Sequence, residues 1–485
     1  MHFRVVQRIL GLLLMLYSVT MMPPVAVSVH FADGQTGAFF NSFAITFVFG
    51  LLAWLPARND RRELRLRDGF IVAAIFWLGL GSFGALPLLL THFPEMSLTD
   101  AVFEAVSGLT TTGATALTGL DSLPRSILYY RAQLHWLGGM GIIVLAVAIL
   151  PMLGVGGMQL YKAESPGPVK NEKLTPRITE TAKALWVVYL LITVACIVAL
   201  KLVGMDWFDA VFYAFSTLSL GGFATHDASI GWYQSQAIEL VLIVFMLISA
   251  LNFARHFMAW QQKSLRPYAR DTEAKAMLTL IAIAVVVVTL YIWIDGAYPT
   301  LLECLRHVAF NLVSIATTTG FTTQDYAVWP IFAPMVMLML SCYSCNTGST
   351  GGGIKMFRTL VLFRQASREL WLLVHPQAVR PVKIAGHVVQ NHIVFAVLAF
   401  VVLYFGVVVV LTFALLASGL DFITAFSAVI ACINNMGPGL GLVGPANNYQ
   451  VLTDFQVWVC SLAMLLGRLE IFSLLVLLTP SFWRK

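Results

Sequence analysis

Apolar runs of about 20 residues recur along the whole chain, and they limit how it can fold more than any other feature. A helix rises about 1.5 Å per residue, so a run of this length crosses the roughly 30 Å hydrocarbon core of a bilayer. Charged residues make up only 11% of the 485 residues, whereas about a quarter is usual in soluble proteins. The sequence therefore predicts an integral membrane protein built of helices.

Most of the basic residues lie in the two termini and in alternate loops between the apolar runs. The loops are "ARNDRRELRLRD", "YKAESPGPVKNEKLTPR", "ARHFMAWQQKSLRPYARDTEAK" and "IKMFRTLVLFRQASRELWLLVHPQAVRPVK". Because cytoplasmic loops carry an excess of Lys and Arg, both termini are predicted in the cytoplasm, with an even number of crossings. This orientation explains the net charge of +6 without a nucleic-acid partner. The same loops either enforce topology alone or also bind anionic membrane lipid.

One sequence unit occurs four times. The copies read "DAVFEAVSGLTTTGAT" from Asp100, "DAVFYAFSTLSLGGFA" from Asp209, "HVAFNLVSIATTTGFT" from His307 and "TAFSAVIACINNMGPG" from Thr424. A glycine stands at the same place in each copy: Gly113, Gly222, Gly320 and Gly437. About ten residues of amphipathic, helix-compatible sequence precede each glycine, enough to reach about halfway through the hydrocarbon core.

Long apolar runs flank each copy, at approximately 70-91 and 131-155, 181-203 and 236-258, 276-296 and 328-361, and 391-418 and 452-479. Two more, 5-28 and 37-57, come first. The predicted fold is an all-α polytopic membrane protein with four pseudo-symmetric helix, pore loop, helix units around a central ion pore, plus two N-terminal transmembrane helices. The predicted divisions are 1-68 for those two helices and 69-160, 161-270, 271-375 and 376-485 for pore units 1 to 4.

Non-helical backbone at membrane depth is tolerated only where protein buries it or water lines it, so the four loops are predicted around one axis. Half-helices whose C-terminal ends point to the midplane favour a cation there. Rings of backbone carbonyls can replace the water around a dehydrated monovalent cation, and glycine adds no side chain to narrow the path. For a single loop, a glycine that merely turns the chain is the simpler interpretation, but four matching loops favour an ion site.

The predicted selectivity filter is the tetrapeptide that ends with the shared glycine of each copy. Its residues are Thr110, Thr111, Thr112 and Gly113, then Ser219, Leu220, Gly221 and Gly222, then Thr317, Thr318, Thr319 and Gly320, and finally Asn434, Asn435, Met436 and Gly437. Threonine and serine hydroxyls in these loops either hold the extended backbone or face the ion.

This arrangement resembles the Trk/Ktr/HKT superfamily of potassium transporters over nearly the whole chain, and the two N-terminal helices resemble its bacterial members. In the plant branch a serine in place of the first filter glycine accompanies sodium preference, so Gly113 implies potassium here. The resemblance implies K⁺ as the bound and transported ion, with no organic cofactor in this chain. The implied K⁺ positions are Thr111, Thr112, Gly113, Leu220, Gly221, Gly222, Thr318, Thr319, Gly320, Asn435, Met436 and Gly437.

The stretch "SCYSCNTGSTGGGIKMF" interrupts the second helix of unit three. It is rich in glycine, which costs up to about 1 kcal/mol per residue in a helix interior. A phosphate-binding loop would need GxxxxGK[ST], which Ile354 and Met356 break, and a simple helix break is the other alternative. The resemblance implies a flexible intramembrane gate under the filter, made of Asn346, Thr347, Gly348, Ser349, Thr350, Gly351, Gly352 and Gly353.

Arg468 and Glu470, in "GRLE", are predicted well inside the final helix. Arginine near the bilayer centre costs several kcal/mol and normally faces a partner or water. It either pairs with a carboxylate or helix end, or places its charge beneath the filter. The resemblance implies the second role, which adds Arg468 to the predicted gate. Asp100 and Asp209 are predicted as N-caps of the first two half-helices.

The predicted function is a potassium-translocating subunit of a bacterial inner-membrane uptake system, with channel-like permeation. The alternative is a secondary transporter coupling K⁺ to H⁺ or Na⁺, whose usual sign is inverted repeats, whereas these four units share one orientation. No nucleophile and base pair or metal constellation occurs in the apolar segments, so no enzyme is predicted. The resemblance implies two partners, a second copy in a homodimer and a cytosolic nucleotide-binding TrkA-type regulatory subunit.

Overall fold

The computed structural model describes residues 3–60, 62, 66–144 and 174–484, and this part of the chain is mostly helical. Its α-helices are Phe3–Val19, Met22–Phe31, Thr36–Trp54, Leu66–Gly84, Leu86–Leu90, Leu98–Leu109, Arg125–Val144, Leu174–Leu202, Trp207–Leu218, Gln236–Ala250, Phe253–Gln262, Arg266–Ala269, Thr272–Ile294, Leu301–Ala316, Phe332–Tyr343, Met356–Val374, Asn391–Ala417, Phe422–Ile433, Asp454–Arg468, Phe472–Leu475 and Pro480–Trp483. Two short antiparallel β-strands, Lys383–Ile384 and His387–Val388, lie in the connection between the helices Met356–Val374 and Asn391–Ala417. The predicted unit boundary at 160 and most of the basic loop after it lie outside the described residues.

Four short helices lead into the four pore loops, as the repeats predicted. We call them the first to fourth half-helix: Leu98–Leu109, Trp207–Leu218, Leu301–Ala316 and Phe422–Ile433. Three have 12 residues and the third has 16. At 1.5 Å per residue they span about 18 to 24 Å, too short to cross a bilayer. Most of their residues are buried by the longer helices around them, and the predicted fold class is confirmed.

Three of the half-helices begin about one turn earlier than the repeat suggests, and the third begins about two turns earlier. Their N-caps are Ser97, Asp206, Thr300 and Asp421, each of which accepts a backbone N–H of the first turn. The prediction that Asp100 and Asp209 are N-caps was therefore wrong. Both lie inside the first turn, where Asp100 accepts the Ser97 hydroxyl at 2.7 Å and Asp209 accepts a tyrosine hydroxyl at 2.6 Å. An N-cap needs extended backbone, which the residue before the helix has and a residue inside it lacks.

Six helices of the described chain are long and apolar enough to cross a membrane: Phe3–Phe31, Thr36–Ala57, Arg67–Leu90, Ala182–Leu202, Thr272–Ile294 and Asn391–Ala417. Two bent pairs raise the number to eight. Gln236–Ala250 and Phe253–Gln262 meet at 96°, and Asp454–Arg468 and Phe472–Leu478 meet at 106°. Of the ten predicted crossings, the run at 131-155 is described only to Val144, and the run at 328-361 is divided by the predicted interruption.

The bent final helix corrects the prediction that Arg468 and Glu470 lie well inside a continuous span. The helix that begins at Asp454 ends at Arg468 itself, and Glu470 and Ile471 adopt positive φ values of 51° and 55°. A left-handed conformation is unfavourable for both residue types and ends the helix. No Pro or Gly stands between Arg468 and Ile471. A prediction based on hydropathy therefore treats the run 452-479 as one continuous helix.

The cap of the fourth half-helix provides a test of this local structure. Asp421 accepts the N–H of Thr424 at 3.0 Å, and replacing an N-cap Asp by Ala costs about 1 kcal/mol. We expect Asp421→Ala to lower the melting temperature in detergent more than Asp421→Asn, because the asparagine keeps an acceptor and loses only the charge.

A pH series separates the cap's charge from its geometry. Hydrogen bonds from Thr424 lower the pKa of the Asp421 carboxyl. The carboxylate therefore stabilises the fold above the usual Asp pKa, and this contribution is lost as the pH falls through the lowered value. The melting temperature of Asp421→Asn should not show this acid-dependent decrease. An equal decrease in the wild type and in Asp421→Asn would contradict a stabilising role for the Asp421 charge.

Candidate ion-binding site

The four pore loops share one backbone conformation. Two residues before each predicted filter glycine, a residue other than glycine has a φ between 51° and 59°: Thr111, Leu220, Thr318 and Asn435. The glycines Gly113, Gly222, Gly320 and Gly437 then have φ between 80° and 93°. The fourfold repeat of sequence is therefore a fourfold repeat of structure, including the "NNMGPG" copy that departs most from the others.

Each half-helix is closed by the same pair of backbone hydrogen bonds. In the first loop, the N–H of Thr111 donates to the carbonyl of Gly108 at 3.1 Å and that of Thr112 to the carbonyl of Ser107 at 2.9 Å. The other three loops repeat both bonds. This closure is a Schellman motif, which normally places glycine in the left-handed position. Its occurrence at Thr, Leu, Thr and Asn indicates that the surrounding packing imposes the conformation.

The four glycines form a closed ring of backbone contacts. A β-carbon at Gly113 would come closer than 3.0 Å to the carbonyl oxygen of Gly221, one at Gly222 to that of Thr319, one at Gly320 to that of Met436, and one at Gly437 to that of Thr112. Each loop therefore contacts the next one along the chain, and the fourth loop contacts the first, which closes the ring. Glycine is thus required at each point, because side chains essentially never approach so closely.

The carbonyl groups of this ring are largely free of protein donors. Among the hydrogen bonds of the described residues, none ends on the carbonyl oxygens of Thr112, Gly221, Thr319 or Met436, whereas that of Gly437 accepts the hydroxyl of Tyr449 at 2.8 Å. Unpaired carbonyls at membrane depth are unfavourable unless water or an ion replaces the missing donor. Several adjacent oxygens without fixed charge suit a monovalent cation.

The filter hydroxyls and amides hold the loops from behind. Thr110 and Thr112 hydrogen-bond to each other through their hydroxyls at 2.8 Å, and Thr317 and Thr319 do the same at 2.8 Å. Asn434 accepts the Tyr404 hydroxyl at 2.6 Å and donates to Ser341 at 2.9 Å. Of the two roles left open for the loop side chains, these contacts favour holding the backbone.

A cavity of about 90 Å³ lies against all four glycines. None of the described residues from Asn346 to Gly353 borders it, so it lies on the other side of the ring from that loop. His226 and Asp227 line this cavity, and the hydrogen bond between His226 and the neighbouring Asp121 lowers the pKa of the Asp121 carboxyl. Negative charge therefore persists there at any pH near neutrality, which favours cations at the mouth.

A buried ion pair supports the same cavity and was not predicted from the sequence. Arg131 donates to Glu104 at 2.7 Å, and both side chains are fully buried. Arg131 also donates to the carbonyl of Ala224 at 3.2 Å, just beyond the second loop. A signal was available, because Glu104 occupies a position that is uncharged in the other three copies. A buried carboxylate in an apolar half-helix requires a cationic or hydrogen-bonding partner.

The predicted gate residues lie directly against the filter loops. The hydroxyl of Thr350 donates to the carbonyl of Leu218 at 3.0 Å, and the N–H of Gly352 donates to the hydroxyl of Thr318 at 3.0 Å. A β-carbon at Gly352 would come closer than 3.0 Å to the carbonyl oxygen of Asn434. The loop therefore contacts the second, third and fourth pore loops directly.

Arg468 connects the same loop to the first pore loop. Its guanidinium donates to the hydroxyl of Thr111 and, at 3.2 Å, to the carbonyl of Thr350. Glu470 pairs instead with Arg358, and no carboxylate of the described chain lies within 4.0 Å of Arg468. The structure thus places a buried, positively charged group against the filter and the loop beneath it.

The loop from Asn346 to Gly353 also fills the break in the second helix of unit two. The N–H of Asn346 donates to the carbonyl of Ala250 at 3.1 Å, and the N–H of Phe253 donates to the carbonyl of Gly348 at 3.1 Å. These are the end groups of two helix segments, which would otherwise lack partners. Both polar atoms of the fully buried Asn346 amide have no partner among the described residues.

Comparison with known proteins decides the family. A family model described as "TrkH: Cation transport protein" matches residues 35–485. The chain belongs to the TrkH family. It is 50% identical over 485 residues to the Trk system potassium uptake protein TrkH of Halomonas elongata and 48% identical to that of Escherichia coli K12, with complete coverage of both chains in each case.

A solved structure supports the fold of this TrkH-family chain. The crystal structure of the potassium transporter TrkH from Vibrio parahaemolyticus matches it with a TM-score of 0.93 and 47% identity, over 100% of both chains. The chain is accordingly a multi-pass membrane protein of a transport family.

The ring of glycines provides a stability test. In Gly320→Ala, the added methyl would come within 3.0 Å of Met436 and Pro438 at a φ of 87°, and overpacking of this kind costs about 1–3 kcal/mol. We expect a lower melting temperature in detergent. Gly406→Ala is the matched control, because no atom lies within 4 Å of its added methyl. Equal melting temperatures for the two variants would contradict the close contact.

Proposed function

We propose that this chain is the potassium-translocating subunit of a bacterial K⁺ uptake system and that it works as a gated, channel-like pore. The closed ring of four glycines with unpaired carbonyls beside it carries the proposal. The relatives are named Trk system potassium uptake proteins, which supports K⁺ as the transported ion. Family membership likewise supports a transport protein rather than an enzyme.

The proposed filter binds K⁺ through backbone oxygens of the four loops. These are the oxygens of the predicted K⁺ positions, Thr111 through Gly113 and their counterparts in the other three loops. Carbonyl rings replace the hydration shell without fixed charge, so an ion can both enter and leave. The C-terminal ends of the four half-helices add negative potential at the same place. The residue with positive φ that stands two places before each filter glycine ends the half-helix. It thereby lets the next carbonyl point toward the glycine of the adjacent pore loop.

The proposed gate consists of Asn346 through Gly353 together with Arg468. Their hydrogen bonds reach the first, second and third units, and Gly352 packs directly against the Asn434 carbonyl of the fourth, so the loop in this position obstructs the path below the filter. The Arg468 charge opposes a second cation beside it, because like charges repel strongly in a medium of low dielectric constant. We propose that this repulsion limits occupancy and speeds release.

The wider assembly belongs to the same proposal. We place the protein in the bacterial inner membrane with both termini in the cytoplasm and with one pore in each chain of a homodimer. A cytosolic TrkA-type nucleotide-binding subunit acts on the gate, which the "Trk system" names of the relatives support. The basic loops contact anionic lipid, and the divisions at 68, 160, 270 and 375 separate the units.

Uptake by purified protein tests the function. Proteoliposomes with an imposed K⁺ gradient should take up rubidium or K⁺ along the electrochemical gradient of potassium, with Na⁺ competing poorly. Liposomes without protein are the control. An imposed proton or sodium gradient should not drive uphill uptake. If it does, the channel-like mechanism is wrong and a coupled transporter takes its place.

The Arg468 side chain provides a separate test of the gate. Arg468→Ala removes both the charge and the contacts to Thr111 and Thr350, and we expect altered flux with stronger block by cytoplasmic cations, by about tenfold in apparent affinity for a change of about 1.4 kcal/mol. Arg468→Lys keeps the charge and should retain most of the wild-type block. Currents from reconstituted protein measure both quantities, and identical block in Arg468→Ala would refute the role.

A further inference from the structure

We propose that His135 is a positioning residue of the second pore loop, where its ring takes the place of a side chain that the loop lacks at Gly221. The inference rests on the proposed function, because it assigns His135 a part in setting ion selectivity. It concerns an asymmetry of the ring: three loops are braced by their own side chains, and the second is braced by a helix of the first unit.

Gly221 is the residue whose missing side chain needs an explanation. The equivalent residues of the other loops are Thr112, Thr319 and Met436. Gly221 has no positive φ, so its backbone conformation does not require glycine. A β-carbon there would instead meet three ring atoms of His135 closer than 3.0 Å. The imidazole of His135 therefore supplies the three atoms nearest to the place of a side chain at residue 221, and it requires glycine there.

The side chains at this position brace two of the other loops. Thr112 and Thr319 each hydrogen-bond at 2.8 Å to the threonine two residues earlier, and that threonine bonds to a half-helix carbonyl. Ser219 corresponds to the earlier threonine in the second loop and donates to the carbonyl of Phe215 at 2.8 Å. It has no partner at residue 221, so the second loop lacks the cross-link found in the first and third.

His135 contacts the second pore loop on both sides of Gly221, at Ser216 and at Phe223. It is fully buried, its Nδ1 lies 3.2 Å from the Ser216 hydroxyl, and that hydroxyl donates to the carbonyl of Phe223 at 3.0 Å. Because Ser216 has already donated its only proton, it accepts from His135, which places the imidazole proton on Nδ1. The ring also stacks on Phe223 with 4.0 Å between centroids and 13° between planes.

The helix that carries His135 is held tightly against two pore loops. β-Carbons at Gly138 and Gly139 would approach Leu109 and Ser219 closer than 3.0 Å, so the backbone of this helix is in direct contact with the C-terminal ends of the first and second half-helices. One turn earlier on this helix, the Arg131 guanidinium lies 4.0 Å from the centroid of the Phe223 ring. The segment from Gly221 to Phe223 is consequently positioned by side chains of unit one.

His135→Ala is the first variant. It removes the ring that occupies the place of a side chain at residue 221, so the adjoining carbonyls gain freedom. We expect the K⁺ over Na⁺ preference of uptake to fall by about tenfold, which corresponds to about 1.4 kcal/mol of discrimination. His135→Phe retains a ring against Phe223 but loses the bond to Ser216. Its K⁺ over Na⁺ preference should lie between those of the wild type and His135→Ala.

Gly221→Thr completes a double-mutant cycle. Alone, the new side chain meets the His135 ring, and both transport and melting temperature should fall. In His135→Ala/Gly221→Thr, the introduced hydroxyl has room to pair with Ser219, as in the first and third loops. The double variant should therefore recover selectivity and melting temperature, with a coupling of about tenfold or more relative to additive effects.

The controls separate this inference from simple loss of packing and from the proposed function. His256→Ala removes another buried histidine, which contacts Tyr268 and Ile248, and it should not rescue Gly221→Thr. If the double variant is as poor as the sum of the single ones, the positioning role is wrong. A single variant that fails to fold still tests it, since the double variant must then fold. If the wild type does not transport K⁺, the proposed function fails, while the coupling in melting temperature still decides the contact.

Discussion

The close approach of four backbone segments at one place is the constraint on which the rest of the structure depends. Each carbonyl in the ring lies where a β-carbon of the neighbouring loop would be, so the loops can meet only through Gly113, Gly222, Gly320 and Gly437. Backbone that meets in this way cannot pair its own polar groups within a helix or sheet. The half-helices, their caps and the surrounding spans serve to bury this irregular backbone and to keep it extended in an apolar environment.

Four related loops within one chain are free to differ in how they are supported. The first and third use a pair of threonine hydroxyls, the fourth uses the Asn434 amide with Tyr404 and Ser341, and the second is packed against the His135 ring. A pore made of four identical subunits would have one such support repeated four times. Here the glycine ring is common to all four quarters, whereas the bracing behind it is specific to each.

The sequence predicts the spans, the four repeats and the filter glycines because each follows from a local pattern: apolar length, a fixed spacing and a conformation that only glycine adopts easily. The helix breaks after Ala250 and Arg468 escape prediction because the residues on both sides of each break are mostly apolar, and because the bent ends are held by contacts with distant segments. In the first two copies the true caps, Ser97 and Asp206, lie a turn before the aspartates that were predicted as caps. The His135 and Arg131 contacts depend on which helix lies behind which loop, and one sequence does not contain that information.

The loop beneath the filter also completes two helix ends in the second unit, through the carbonyl of Ala250 and the N–H of Phe253. Its position is therefore linked to the solvation of those ends. In the gating that we propose, departure of the loop leaves a buried carbonyl and a buried N–H without partners, and in an apolar medium each such loss costs several kcal/mol. Water that enters beneath the ring then supplies both bonds. Under that proposal, opening of the path and wetting of the broken helix are one event, so the hydration of this cleft is part of the energetics of conduction.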